Sequence, residues 1–221
     1  MLLYLDQNYA SRMAKHLLGQ RGHEAFGRLF LALRGKALAP PSPFHVLETL
    51  HPVRGPKEKA GYLLPALEEV FSTLSDGYWV RPWEEIAKRQ ERGLYREDFL
   101  WRGGSWEDPA DLSPFQGFLE GLPPLPEKAL EAWVQEEIRR RTGLKEVPFV
   151  RLLARLVAQS RKDPRRKPRP SDLLDFVMAA TVHPYVDLLL TDRYLKNLLQ
   201  ERVVGGRKKE VEALALRLGG E

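Results

Sequence analysis

From Ser171 to Asn197 the pattern of apolar and polar positions changes three times. Leu173, Leu174, Phe176, Val177, Met178, Ala179, Ala180 and Val182 make a helix apolar almost all round, so most of its faces are buried. Pro184 stops it, because the residue before a proline is pushed out of the helical region. Val186 to Thr191 is then a short, nearly continuous apolar run, the mark of a strand covered on both faces. Asp192 stands where that strand ends and the helix of Arg193, Tyr194 and Leu195 begins. The first residues repeat the arrangement: Leu2 to Leu5 is a short apolar strand with Asp6 at its end. Two strands far apart in sequence each finish in an aspartate, where open α/β sheets bind ligands.

Between these ends, helical periodicity runs from Gln7 to Gly19, with Tyr9, Met13 and Leu17 on one face, and from His23 to Arg34, closed by Gly35. Ala37 to Pro41 reads as a second strand, residues 43–50 as a helix carrying Glu48, and residues 57–74 as another helix. Asp76-Gly77 is a turn signal before a third strand at Tyr78-Trp79-Val80, and Pro82 opens a further helix. Such alternation predicts an α/β fold whose short parallel sheet has helices on both faces. Residues 93–145 break the rhythm with glycine- and proline-rich loops before helix returns at 127–142 and 147–159. They read as a helical and loop insertion within a single domain spanning 1–221. All five tryptophans fall between Trp79 and Trp133, and the expectation is a small aromatic core for that insertion rather than a base-stacking surface. Val203-Val204 predicts an edge strand, and residues 205–221 a helical tail without chemistry of its own.

Composition narrows the class. The 221 residues include no cysteine, which excludes disulfides and thiolate metal sites. No apolar run approaches the roughly 20 residues needed to cross a bilayer, and the start lacks a basic n-region; the expected location is cytoplasmic. Scarce asparagine, with Asn8 and Asn197 the only two, resembles heat-adapted composition. It also draws attention to Asn8, whose side-chain amide is placed to orient a neighbouring carboxylate. A net charge of +5 makes a polyanionic partner plausible. The run Ser160 to Pro170 concentrates it: Arg165, Arg166, Lys167 and Arg169 lead into the acidic helix as either a solvated loop or a clamp on a phosphate backbone.

Asp6-x-Asn8 after the first strand, Glu48 in the helix after the second, and Asp175, Ala179-Ala180 and Thr191-Asp192 late in the chain occur in an order that resembles the PIN-domain nucleases. The resemblance covers about residues 1–90 and 165–204. It implies a PIN-like three-layer fold and a pocket in which Asp6, Glu48, Asp175 and Asp192 converge on Mg²⁺ or Mn²⁺. Thr191 would orient a water there, and Asn8 and Asp172 would support the acids, Asp172 also being a candidate helix cap; Arg193 is placed either to contact a phosphate or to pair with a carboxylate. Carboxylates about 4 Å apart repel by roughly 4 kcal/mol per pair at an effective dielectric near 20, so such a cluster calls for a cation. Oxygen ligands without His or Cys select hard ions. The implied activity is metal-dependent endonuclease cleavage of single-stranded RNA. The alternatives are an idle scaffold that binds RNA or protein, and a nuclease directed at DNA or flaps. Family members often form homodimers, and toxin members pair with an antitoxin, although the length and insertion depart from the compact toxin pattern.

Overall fold

A computed structural model describes residues 1–50, 61–93, 96–162 and 169–219. The chain runs β1 (Leu3–Leu5), α1 (Gln7–Leu17), α2 (Glu24–Leu33), α3 (Pro43–Leu50), α4 (Leu64–Ser75), β2 (Trp79–Val80), α5 (Trp83–Gln90) and β3 (Leu100–Trp101). It continues with α6 (Glu127–Thr142), α7 (Pro148–Ser160), α8 (Pro170–Val182), β4 (Leu188–Thr191), α9 (Arg193–Leu199), β5 (Val203–Gly205) and α10 (Lys208–Gly219).

The central sheet is parallel, in the order β1-β4-β5, with Leu3 opposite Leu188 and Leu189 opposite Val203. Period-two alternation along its strands divides the core into two layers. Leu3, Leu5 and Leu190 point into one cluster with Tyr9, Met13, Phe26, Leu29, Phe71 and Leu214, drawn from α1, α2, α4 and α10. Tyr4 and Leu189 point into the other with Phe44, Trp83, Val134, Phe149 and Phe176. Helices therefore cover both faces. No helix among the described residues is long and apolar enough to cross a membrane.

Four expectations are corrected. Ala37 to Pro41 contributes a single parallel bridge, Leu38 to Leu2, because Pro40 and Pro41 have no N–H to extend a ladder. The strand at Tyr78 to Val80 does not join the parallel sheet: β2 pairs antiparallel with β3 in a separate ribbon, Trp79 opposite Trp101. The late strand begins at Leu188 rather than Val186: at Asp187 the Leu2 N–H bonds to the side-chain carboxylate, which Arg96 also pairs, while the Asp187 N–H donates to the Leu2 carbonyl. The tryptophans do not form a separate core for 93–145: Trp83 and Trp133 pack with Tyr4 and Phe176, and Trp106 with Leu3 and Phe71. Of the helix expected over 57–74, residues 57–60 lie outside the described residues, and a 3₁₀ turn at Gly61–Leu63 precedes α4.

Candidate functional site

Parallel strands put their carboxyl ends at one edge, and there β1 and β4 both hand over to helices through an aspartate. Asp6 caps α1: one carboxylate oxygen accepts the Asn8 backbone N–H, as an N-cap acid does. The Thr191 hydroxyl donates to its other oxygen at 2.6 Å, across 185 positions of sequence. The backbone N–H of Asp192 is a further, weaker influence that favours the charged Asp6 carboxylate. Asp6 is 7% exposed. Burial pushes its carboxyl from 3.8 up to about 6; the Thr191 and Asn8 bonds oppose that, while the charge of Asp192 adds to it. Its bonded partners are a hydroxyl and backbone N–H groups, all neutral.

Asp192 is half-buried and caps α9, accepting the Leu195 N–H at 2.8 Å through one oxygen. Glu48 on α3 and Asp175 on α8 are half-buried too. Their charges meet at Tyr4, which lies two residues before Asp6 and on the same side of β1. Burial raises the Tyr4 phenol well above its ordinary value; its bond to Ser42 opposes this, and the charges of Glu48, Asp6 and Asp175 add to it. Three carboxylates, Asp6, Glu48 and Asp175, thus act on Tyr4, and a fourth, Asp192, acts on Asp6.

His45 locks that corner from below. Its Nε2–H donates to the Leu5 carbonyl at 2.6 Å, and its Nδ1 accepts the Ser42 N–H at 3.0 Å, which fixes a neutral ring. Burial lowers its pKa to about 4. The ring ties the end of β1 to the start of α3, one turn before Glu48.

The oxygen donors fit a hard divalent cation: a buried carboxylate with only neutral partners, a second carboxylate whose charge reaches it, and two more whose charges reach Tyr4. Gln7, next to Asp6 in the chain, has a buried side-chain oxygen without a hydrogen-bond partner among the described residues, while its amide nitrogen donates to Thr49. Among the described residues no three His, Asp or Glu side chains are gathered closely enough to cage an ion by themselves. Mg²⁺ commonly keeps several waters and takes one or two carboxylates, so Asp6 and Asp192 are the residues that could hold one.

The other expected residues divide. Asn8 is exposed, and its contribution to Asp6 is the backbone N–H rather than the amide. Asp172 is 1% exposed, and its carboxylate accepts the Arg169 N–H at 2.9 Å, the geometry of a helix cap. Arg193 is exposed at the start of α9 and Arg169 at the entrance to α8. Arg165, Arg166 and Lys167 lie outside the described residues. Sequence reasoning missed Tyr4, whose two-residue spacing from Asp6 is a legible signal. It also missed Arg12 and Arg207, which line a recess of about 420 Å³ with Asn8, Thr191, Asp192 and Arg193. Arg12 is four residues from Asn8, hence on the same face of α1. Arg207 follows the Gly205-Gly206 pair, a signal read only as the start of a tail. A larger apolar cavity of about 690 Å³ lies between Leu47, Leu173 and residues 110–120. Comparison of the chain with protein-family models, curated proteins and solved structures gave no match.

Proposed function

We propose that the chain is a PIN-like, Mg²⁺- or Mn²⁺-dependent endonuclease that hydrolyses phosphodiester bonds of single-stranded RNA. The observation that carries this reading is the junction of β1 and β4, where Asp6, Thr191 and Asp192 meet with Asp6 buried and bonded to neutral groups alone. Asp6 caps α1, but its burial costs desolvation that a neutral cap would avoid, a cost that a bound cation would offset. When bound, such a cation would neutralise charge on a phosphoryl oxygen and lower the pKa of a bound water toward hydroxide, the attacking form.

The chain's own groups supply the rest. The donors on Asp6 fix both its oxygens before substrate arrives, so little reorganisation is needed during the reaction. The Thr191 hydroxyl has its proton committed to Asp6, so its lone pairs are the part available to accept a hydrogen bond from water. Glu48 and Asp175 supply the further negative charge that draws in and holds the ion. Arg193, exposed beside Asp192, is the guanidinium placed for a phosphate oxygen.

The test is Mn²⁺-dependent cleavage of single-stranded RNA, single-stranded DNA and flap substrates by wild type and Asp6→Asn. Rapid RNA cleavage that falls at least about 100-fold in Asp6→Asn, with RNA binding retained, is expected for loss of a fixed electrostatic anchor. Binding without cleavage in wild type would indicate an idle scaffold, and cleavage confined to DNA a DNA-directed enzyme. Unchanged cleavage in Asp6→Asn would remove this residue from the mechanism.

A further inference from the structure

The recess beside Asp192 is lined by three arginines from three different elements: Arg12 on α1, Arg193 on α9 and Arg207 in the link between β5 and α10. Asp192 is the one acid in its lining, so the lining side chains carry +3 − 1 = +2. Among the described residues none of these arginines forms an ion pair. The acid closest to Arg207 along the chain, Glu210, is already engaged by the Lys196 ammonium at 2.7 Å and the Gly205 N–H at 2.9 Å. Arg12 is held in place by neutral contacts alone: its guanidinium lies 4.9 Å from the centre of the Phe26 ring, with one nitrogen 3.4 Å from the Gly206 carbonyl. Three like charges directed into one concave site repel one another, and an arrangement of that kind is relieved by a bound anion. Guanidinium forks match the oxygens of a phosphoryl group.

Position says which phosphoryl group. Thr191 and Asp192 belong both to the recess and to the acidic corner, so the two sites share a wall. We propose that the recess seats a backbone phosphate of a single-stranded polynucleotide, the one neighbouring the phosphate held at the acidic corner. Arg12 and Arg207 are then binding residues, and the β5–α10 link becomes part of the substrate track. The choice of a polynucleotide rests on the nuclease reading; the anion recess itself does not.

The experiment measures binding with no divalent ion present, so that cleavage plays no part. Fluorescence anisotropy of a short labelled single-stranded RNA is read as a function of salt for three forms: hydroxyl at both ends, 5′-phosphate and 3′-phosphate. Arg12→Ala/Arg207→Ala is compared with wild type and with Lys88→Ala/Lys128→Ala, which removes the same charge from exposed positions on α5 and α6. The arginine pair is expected to weaken binding at least about tenfold for all three RNAs, the scale of losing hydrogen bonds to a charged group. It should also lower the salt slope by about 0.7, one phosphate contact on a single strand. The lysine pair should stay within about twofold of wild type on the same reasoning, being surface charge alone. Arg207→Ala alone leaves the contacts of Arg12 with Phe26 and Gly206 in place, so a loss in that variant cannot come from disturbed packing. Equal behaviour of the arginine and lysine pairs, or no RNA binding by wild type, overturns the proposal. A loss confined to the end-phosphorylated RNAs overturns it in favour of a terminal-phosphate site. Arginine-dependent binding without Mn²⁺-dependent cleavage would sink the nuclease reading and leave the recess standing; cleavage with arginine-independent binding would do the reverse.

Discussion

The two sheets of this molecule are both short, and they put very different side chains at their ends. In the parallel sheet every strand leaves by the same edge, so β1, β4 and β5 deliver Asp6, Asp192 and Arg207 to one side of the molecule. In the β2–β3 ribbon the strands run in opposite directions, so each edge receives one carboxyl end and one amino end and nothing accumulates. What collects around the ribbon is aromatic surface. Trp79 meets Trp106 edge-on at 5.6 Å, Arg81 lies 5.3 Å over Trp101, and Trp83, three residues beyond Val80, stacks on Phe149 at 5.2 Å. A parallel sheet gathers chemistry along one edge by its direction alone; an antiparallel ribbon of the same size is suited to packing.

If that division is right, the two regions respond oppositely to substitution. The largest effect on stability is expected beside the ribbon. Trp83→Ala empties a 2% exposed site and removes the bond from its indole N–H to the Asp111 carbonyl. It should cost about 3–5 kcal/mol, read by denaturant unfolding, while cleavage per folded molecule stays within about twofold because no site residue is touched.

At the carboxyl edge the sign reverses. The Asp6 carboxyl, about 6 in the folded chain against an ordinary 3.8, holds its proton more tightly when folded. Its stabilising contribution is therefore complete below about pH 4 and lost as pH rises through 6. Asp6→Asn carries no such proton, so without divalent ions its stability relative to wild type should grow by about 2–3 kcal/mol between pH 4 and pH 8. His45, held near 4, destabilises both proteins alike on acidification and cancels from the difference. A gap that does not change with pH would place the Asp6 carboxylate in solvent-like surroundings.

The smallest effect returns to the ribbon. A Cβ on Gly104 would sit 2.5 Å from the Trp79 ring, so Gly104→Ala forces the indole to shift. It should cost about 1–3 kcal/mol, again with cleavage preserved; a fall in cleavage equal to that of Asp6→Asn would erase the distinction between the two regions.

The same contrast explains what the sequence disclosed. Asp6, Thr191 and Asp192 were legible because a short apolar run followed by an acid and a helical pattern marks a strand end locally. The strands β1, β4 and β5, α3 with Glu48 and α8 with Asp175 follow from such local signals, whereas placing residues 37–41 and 78–80 in the same sheet did not hold. The ribbon was not legible: β2 and β3 are some 20 residues apart with no hairpin turn between them, so their pairing is decided by tertiary packing of tryptophans. Asn8 was identified for its amide, yet the backbone N–H does the holding, because a cap geometry is set by backbone angles and not by residue identity. The arginine recess was hidden for a similar reason. Arg12, Arg193 and Arg207 lie on unrelated stretches, and only the placement of α1 and α10 against the ends of β4 and β5 brings them together.

The central claim is that strand ends 186 positions apart, Asp6 and Asp192, serve one divalent ion. Mn²⁺ titration of the whole chain followed by calorimetry tests it without any substrate. Wild type should bind Mn²⁺, and Asp6→Asn and Asp192→Asn should each weaken that binding more than about tenfold, the scale of losing one ligand-supporting group. Mn²⁺ binding that is absent from wild type, or that survives both substitutions unchanged, would contradict it.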